Sequence, residues 1–155
     1  NNKHYYELDP QAIRGFVIFL DVDGTLVCDK QRKVAREVRS KTRKLSAHNT
    51  IYLCSNARDQ LRIHNLSVEL NVGKLPAKYR KPSKKVLSLI DNVAGKPFLV
   101  IGDRCYPDRV LAFRIGAKFI KVRRMLCPGD RWFIKLSYWL DDLGDKFISL
   151  LTGRR

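Results

Sequence analysis

The sequence predicts an α/β domain built around a parallel sheet of about five strands. Short continuous apolar runs alternate along the chain with segments of helical periodicity. Such runs are typical of strands buried on both faces, and their alternation with helices is typical of parallel sheets. Each run ends in polar residues, as expected where parallel strands present their carboxyl ends to a ligand. The order β-α-β-α-β-α-β-α-β therefore favours a three-layer, Rossmann-like arrangement.

These patterns place the individual elements. Strands are predicted at residues 16–20, 51–54, 98–101 and 117–122, with a weak strand near 75–79. Helices are predicted over residues 33–47 and 59–68, then from Pro82, and from Pro107 to a stop at Gly116. Residues 130–151 carry large apolar side chains at spacings of three or four, which predicts a C-terminal amphipathic helix with an aromatic stripe.

Length and hydropathy limit the class of protein. The 155 residues suit one domain, so we expect residues 1–125 to form its body and residues 126–155 a helical extension of it. No apolar run reaches the roughly 18 residues that a membrane-spanning helix needs, so no transmembrane segment is predicted. The first residues lack the basic-then-apolar order of a secretory signal, which favours an intracellular location.

Charge is the outlying feature of the composition. The chain holds 31 Lys and Arg residues against 15 Asp and Glu residues, a formal net charge of +16. Residues 31–125 contain 23 basic and 6 acidic residues, a net charge of +17, so the excess lies in the folded body and not in a tail. This excess argues against a cationic partner and leaves nucleic acid, an anionic membrane or a phosphorylated substrate open.

The four cysteines form no CxxC pair, so the spacing typical of zinc ligands is absent. Small secreted domains carry denser and more regularly spaced cysteines, and we therefore expect reduced thiols in an intracellular chain. Cys54 ends a predicted strand, and Cys28 and Cys105 lie in the polar segments after two others, where burial beside the loops is expected.

Acidic side chains follow two of the predicted strands. Asp21 and Asp23 come directly after the first strand, and two carboxylates this close both ionise comfortably only if a cation lies between them. One acid can then hold a metal and attack a substrate while the other transfers a proton. Asp103 after the fourth strand adds a hard oxygen ligand, which predicts a Mg²⁺ site. Polar residues expected at the same edge are Thr25, Ser55, Asn56, Lys81 and Asp108.

Four short motifs in this order resemble those of the haloacid dehalogenase superfamily of phosphohydrolases. Each lies at a predicted strand or helix boundary, which makes the match far more specific than the first motif alone. The motifs are Asp21-Val22-Asp23-Gly24-Thr25-Leu26, Ser55-Asn56, Lys81-Pro82, and Gly102-Asp103 followed by Asp108.

The resemblance implies a role for each residue. Asp21 would be the nucleophile that forms an aspartyl-phosphate, and Asp23 would protonate the leaving group and then activate water. Phosphate would be bound by Thr25, Ser55, Asn56 and Lys81. Mg²⁺ would be held by Asp21, Asp103 and Asp23, the last through its backbone carbonyl, with Asp108 supporting the acidic site. Phosphoryl transfer depends on such in-line positioning and charge neutralisation.

The spacing of the motifs predicts a site without a cap domain. Only 32 residues separate Asp23 from Asn56, and 25 separate Ser55 from Lys81. The layout is also similar to the YqeG-like family, which includes phosphatidylglycerophosphate phosphatases, although Gly24 stands where that family usually has Asn. The resemblance implies a phosphorylated lipid substrate, cleaved to phosphatidylglycerol, the precursor of cardiolipin. It also implies a peripheral protein on the cytoplasmic or mitochondrial-matrix face of a membrane.

Other hypotheses stay open at this stage. A phosphatase of nucleic-acid ends would also need an open site and a basic surface, but few aromatic residues lie between the cations of residues 31–47, as stacking on single strands would require. A polyanion-binding module without catalysis is a third possibility. The aromatic stripe of residues 130–151 fits either an anionic phospholipid surface or packing on the body.

Overall fold

The structure is a computed structural model that describes residues 3–76, 78, 80–90, 95–127 and 143–144. These residues form an α/β fold around a five-stranded sheet. All the strands are parallel, in the order β3-β2-β1-β4-β5. The predicted parallel sheet of about five strands is therefore confirmed. The strands are β1 Val17–Leu20, β2 Thr50–Leu53, β3 Gly73–Lys74, β4 Phe98–Gly102 and β5 Lys118–Lys121.

Strand β3 begins earlier in the chain than the weak strand predicted near residues 75–79. Gly73 pairs with Tyr52 of β2, and the pairing continues through the Leu75 N–H, which donates to the Leu53 carbonyl at 2.9 Å. A Cβ on Gly73 would lie 2.6 Å from the Tyr52 ring, so a glycine is needed where β3 joins the sheet. Hydrophobic patterning misses such a strand because its first residue has no side chain.

In the described residues, the strands are connected by α-helices, a 3₁₀ helix and a short π-helical turn, Cys105–Arg109. The predicted helices 33–47 and 59–68 correspond to α1, Arg36–Ser46, and α2, Gln60–Leu70. The segment expected to be helical from Pro82 is a 3₁₀ helix, Lys84–Leu89, and the helix after Pro107 is the short α3, Val110–Arg114. Asp59 caps α2 by accepting a hydrogen bond from the Arg62 N–H at 2.9 Å. Shorter 3₁₀ turns lie at Tyr5–Glu7 and Pro10–Ala12.

The core has two parts, and the alternation of side chains along β1 divides it. Ile18 and Leu20 belong to one cluster, which also contains buried residues of α1 and α2. Phe19 belongs to a second cluster, with Val86 of the 3₁₀ helix and Leu111 of α3. Successive strand residues point to opposite faces, so helices cover both faces of the sheet at this strand. This arrangement leaves the carboxyl ends of the central strands as the accessible edge.

A disulfide joins Cys28 to Cys127, across 99 positions of sequence. Cys54 and Cys105 are buried and lie outside this disulfide. The prediction that all thiols are reduced is therefore wrong, while the predicted burial of Cys28, Cys54 and Cys105 is confirmed. Sequence spacing does not reveal this pair, because the fold alone brings the two Cα atoms to 5.8 Å. Because two of the cysteines form a disulfide, the cysteines no longer favour an intracellular location.

Within the described ranges, none of the helices has the length and apolar character needed to span a bilayer. The predicted C-terminal helix of residues 130–151 lies outside the described residues, apart from positions 143 and 144. The same holds for most of the extension predicted over residues 126–155.

The disulfide can be tested by counting thiols. Protein that is denatured without reductant should expose two reactive thiols, Cys54 and Cys105, and Cys28→Ser should raise the number to three by freeing Cys127. Reduction should lower the free energy of unfolding of the wild type by about 2–4 kcal/mol in a denaturant titration. Four reactive thiols in freshly purified wild-type protein would contradict the disulfide.

Candidate functional site

The predicted site residues meet at the carboxyl edge of the sheet. Leu20 of β1 pairs with Leu53 of β2 on one side and with Ile101 of β4 on the other. The residues that follow these three strands therefore begin at the same level. They border a cleft of about 230 Å³, and six of its lining residues were predicted from the sequence: Asp21, Asp23, Ser55, Asn56, Lys81 and Asp108.

Three buried carboxylates form the centre of the site. Oxygen atoms of Asp21, Asp103 and Asp108 all lie within 4.8 Å of one another. The Lys81 Nζ lies 2.5 Å from both Asp21 Oδ1 and Asp108 Oδ1. The sequence prediction that Lys81 lies near the acids is consistent with this geometry, although Lys81 is 60 positions from Asp21 along the chain.

Burial and charge set the ionisation of this cluster. Burial raises the pKa of Asp103 to about 7, helped by the charge of Asp21 and opposed by Arg124. Burial likewise raises the pKa of Asp108 to about 6, against the charge of Lys81. Burial alone would lower the pKa of Lys81, but the charges of Asp108 and Asp21 outweigh it, so the pKa is raised and the ammonium stays charged.

The carboxylate of Asp23 lies apart from this cluster. Both of its oxygens accept hydrogen bonds from Arg62 Nη2 at 2.8 Å. Burial raises the pKa of Asp23, while the hydrogen bonds and charge of Arg62 oppose that rise. The Asp23 carboxylate bonds to Arg62 and is not one of the three acids that lie close enough to share an ion. The metal contact predicted through its backbone carbonyl stays a prediction.

Thr25 and Asn56 make hydrogen bonds to other residues of the site. The Thr25 hydroxyl is fully buried and donates to Asp21 Oδ2 at 2.9 Å. The Asn56 amide donates to the Lys81 carbonyl at 3.0 Å and accepts from the Lys81 N–H at 2.8 Å. These two side chains therefore hold the nucleophile candidate and the lysine in place. Ser55 lines the cleft, and its hydroxyl accepts a hydrogen bond from the Ala57 N–H at 3.0 Å.

Two glycines permit the close approach of the acids. Gly24 has φ +86°, and a Cβ there would lie 2.7 Å from Asp103 Oδ2. A Cβ on Gly102 would lie 2.4 Å from Asp108 Oδ2. The loop after β1 and the end of β4 can therefore contact these carboxylates only because both positions lack a side chain.

Sequence reasoning missed two arginines that pair with predicted acids. Arg62 lies between buried residues of α2, and Arg124 Nε lies 2.5 Å from Asp103 Oδ2. A cation at a buried helix position is a signal that the sequence offers for Arg62. Arg124 offers none, because it lies beyond the last strand. A backbone hydrogen bond from the neighbouring Met125 N–H to the Gly24 carbonyl, at 2.7 Å, ties its segment to the loop after β1.

The donor set fits a divalent metal ion. Asp21, Asp103 and Asp108 offer hard carboxylate oxygens close enough for one ion. A cation would also relieve the burial of negative charge that raises the pKa values of Asp103 and Asp108. Asp21, whose carboxylate lies beside the Lys81 ammonium, could attack an electrophile while a different acid transfers the proton.

No protein-family profile, curated protein or solved structure matches the chain. The assignment of function therefore depends on the residues themselves.

Gly24→Ala should destabilise the protein by about 1–3 kcal/mol, because alanine is strained at this φ and its Cβ would displace Asp103. Gly15→Ala is the matched control, since Gly15 has φ +76° with open space around its Cβ position. Denaturant unfolding of both variants separates backbone strain from the contact. Gly24→Ala should lose more free energy of unfolding than Gly15→Ala. Equal losses would show that the contact between the Cβ and Asp103 costs nothing.

Proposed function

We propose that the chain is a Mg²⁺-dependent phosphomonoester hydrolase that works through an aspartyl-phosphate on Asp21. The observation that carries the proposal is the convergence of Asp21, Lys81, Asp103 and Asp108 in one buried cluster beside the cleft. An ammonium beside a carboxylate can draw a phosphate dianion toward a nucleophile that would otherwise repel it. The motif resemblance to the haloacid dehalogenase superfamily agrees with this chemistry.

The reaction has two steps. An oxygen of Asp21 bonds to phosphorus while the bond from phosphorus to the leaving oxygen breaks, and Asp23 gives that oxygen a proton. Water then attacks the phosphorus and returns a proton to Asp23, which frees Asp21 and inorganic phosphate. Lys81 and Ser55 stabilise the negative phosphoryl oxygens. Mg²⁺, held by Asp21 and Asp103, would neutralise charge on the phosphoryl group and orient it in line with Asp21.

The proposed substrate is phosphatidylglycerophosphate in an anionic membrane. Exposed cations follow the carboxyl ends of β1, β2 and β3, namely Lys30, Arg58, Lys78 and Arg80. The short connections from β1 to α1 and from β2 to α2 hold no inserted domain, so the described cleft is open to a phosphate on a large molecule. Each Lys or Arg near an anionic bilayer contributes about 1 kcal/mol of attraction.

Hydrolysis is tested first with p-nitrophenyl phosphate. Asp21→Asn should lower kcat by about three orders of magnitude or more, because the variant lacks the nucleophile. Glu37→Gln, which removes an exposed carboxylate on α1, should keep wild-type activity. Chelation should abolish turnover and Mg²⁺ should restore it. Unchanged turnover in Asp21→Asn would contradict the proposal.

The substrate class is tested by direct comparison. Phosphatidylglycerophosphate in mixed micelles should be hydrolysed with a kcat/KM at least tenfold above that of 5′- or 3′-phosphorylated oligonucleotides. Added salt should reduce the rate on anionic micelles, because it screens the exposed cations. A preference for an oligonucleotide would favour the nucleic-acid-end phosphatase, which the net charge of +17 over residues 31–125 also supports. Absence of Mg²⁺-dependent turnover on every phosphomonoester would favour a polyanion-binding module.

A further inference from the structure

Arg62 is a buried cation whose hydrogen bonds are directed at one predicted catalytic group. Its side chain is 4% exposed, and Nη2 donates to both carboxylate oxygens of Asp23 at 2.8 Å. Nη1 donates to the Gln31 carbonyl at 3.0 Å. The Arg62 backbone is fixed as well, because its N–H donates to the capping carboxylate of Asp59. Hydrogen bonds therefore hold both the backbone and the guanidinium of Arg62, and the guanidinium is paired with the Asp23 carboxylate.

We infer that Arg62 is a positioning residue, which holds the Asp23 carboxylate in place to exchange a proton with the leaving group. This inference rests on the proposed function. A guanidinium nitrogen that lies 2.8 Å from both oxygens restrains the Asp23 carboxylate more than a hydrogen bond to one oxygen would. When Asp23 gives its proton to the leaving oxygen, the negative charge that remains on Asp23 stays paired with Arg62.

If Arg62 only linked the loop after β1 to helix α2, its charge would not need to be buried. The loop after β1 and helix α2 are also joined by Arg32 and Asp59, whose ion pair is exposed. A surface pair can link the two segments without burying a charge. Burial of an arginine side chain is unfavourable unless its partners compensate for the charge. Arg32 therefore supplies a matched control, because it spans the same two segments and does not contact Asp23.

The test compares two leaving groups. The nitrophenolate of p-nitrophenyl phosphate departs without a proton, whereas the alkoxide of glycerol 3-phosphate needs one. Because kcat/KM reports phosphoryl transfer to Asp21, Arg62→Gln should lower kcat/KM for glycerol 3-phosphate about 100-fold and for p-nitrophenyl phosphate less than about 5-fold. Arg62→Lys should recover part of the loss, and Arg32→Gln should match the wild type on both substrates.

A double variant tests whether Arg62 acts through Asp23. In the Asp23→Asn background, Arg62→Gln should cause almost no further loss on glycerol 3-phosphate, whereas an independent role would make the two losses additive. Equal losses on the two substrates, or additive losses, would overturn the inference. If Arg62→Gln does not fold, as judged by its thermal transition, Arg62→Lys carries the same comparison.

The outcomes separate the two proposals. Wild-type protein that hydrolyses neither of these substrates, nor phosphatidylglycerophosphate, with Mg²⁺ would overturn the proposed function and this inference with it. Wild-type protein that hydrolyses both, with no dependence on the leaving group in the Arg62 variants, would leave the hydrolase and remove only the role of Arg62.

Discussion

The ion pairs of the buried Lys81 ammonium are the interaction on which the site depends. Three buried carboxylates lie around one point, and Lys81 bridges Asp21 to Asp108 while Arg124 holds Asp103. Loss of one partner from a buried pair costs about 3–5 kcal/mol, because the other charge is left uncompensated. Three acids nevertheless face only two of these cations, and burial, together with the charge of Asp21, raises the pKa values of Asp103 and Asp108. A cluster with this excess is suited to bind a further cation and a phosphate together.

The sheet makes this cluster possible. Paired registers bring the ends of β1, β2 and β4 to one level, and buried side chains on both faces fix those strands. Gly24 and Gly102 then allow backbone to contact carboxylates at distances that a side chain would prevent. Exposed cations follow the ends of β1, β2 and β3, beside this acidic centre, namely Lys30, Arg58, Lys78 and Arg80. Under the proposed function these cations would attract a polyanion, and the acidic centre would act on its phosphate.

Sequence periodicity predicted the parallel sheet and most of its strands, because buried strands have a strong apolar signal. It misplaced β3, whose glycine carries no such signal, and it missed the Cys28–Cys127 disulfide, since the pairing arises only after folding. Motif order predicted Asp21, Lys81, Asp103 and Asp108 as neighbours. It did not predict Arg62 or Arg124, because an arginine's partner is set by the packing of distant segments. The motif resemblance gave Asp23 its expected role, but the arginine that holds its carboxylate became visible only in three dimensions.

The proposed covalent step at Asp21 distinguishes this hydrolase most directly from the alternatives. Wild-type protein that is mixed with Mg²⁺ and p-nitrophenyl phosphate, quenched in acid within the first turnover and digested should carry a phosphoryl group on the peptide that contains Asp21. Asp23→Asn should accumulate more of this adduct, because its second step lacks a base. A burst of nitrophenolate with no phosphoryl group on Asp21, or with the group on another residue, would contradict the account.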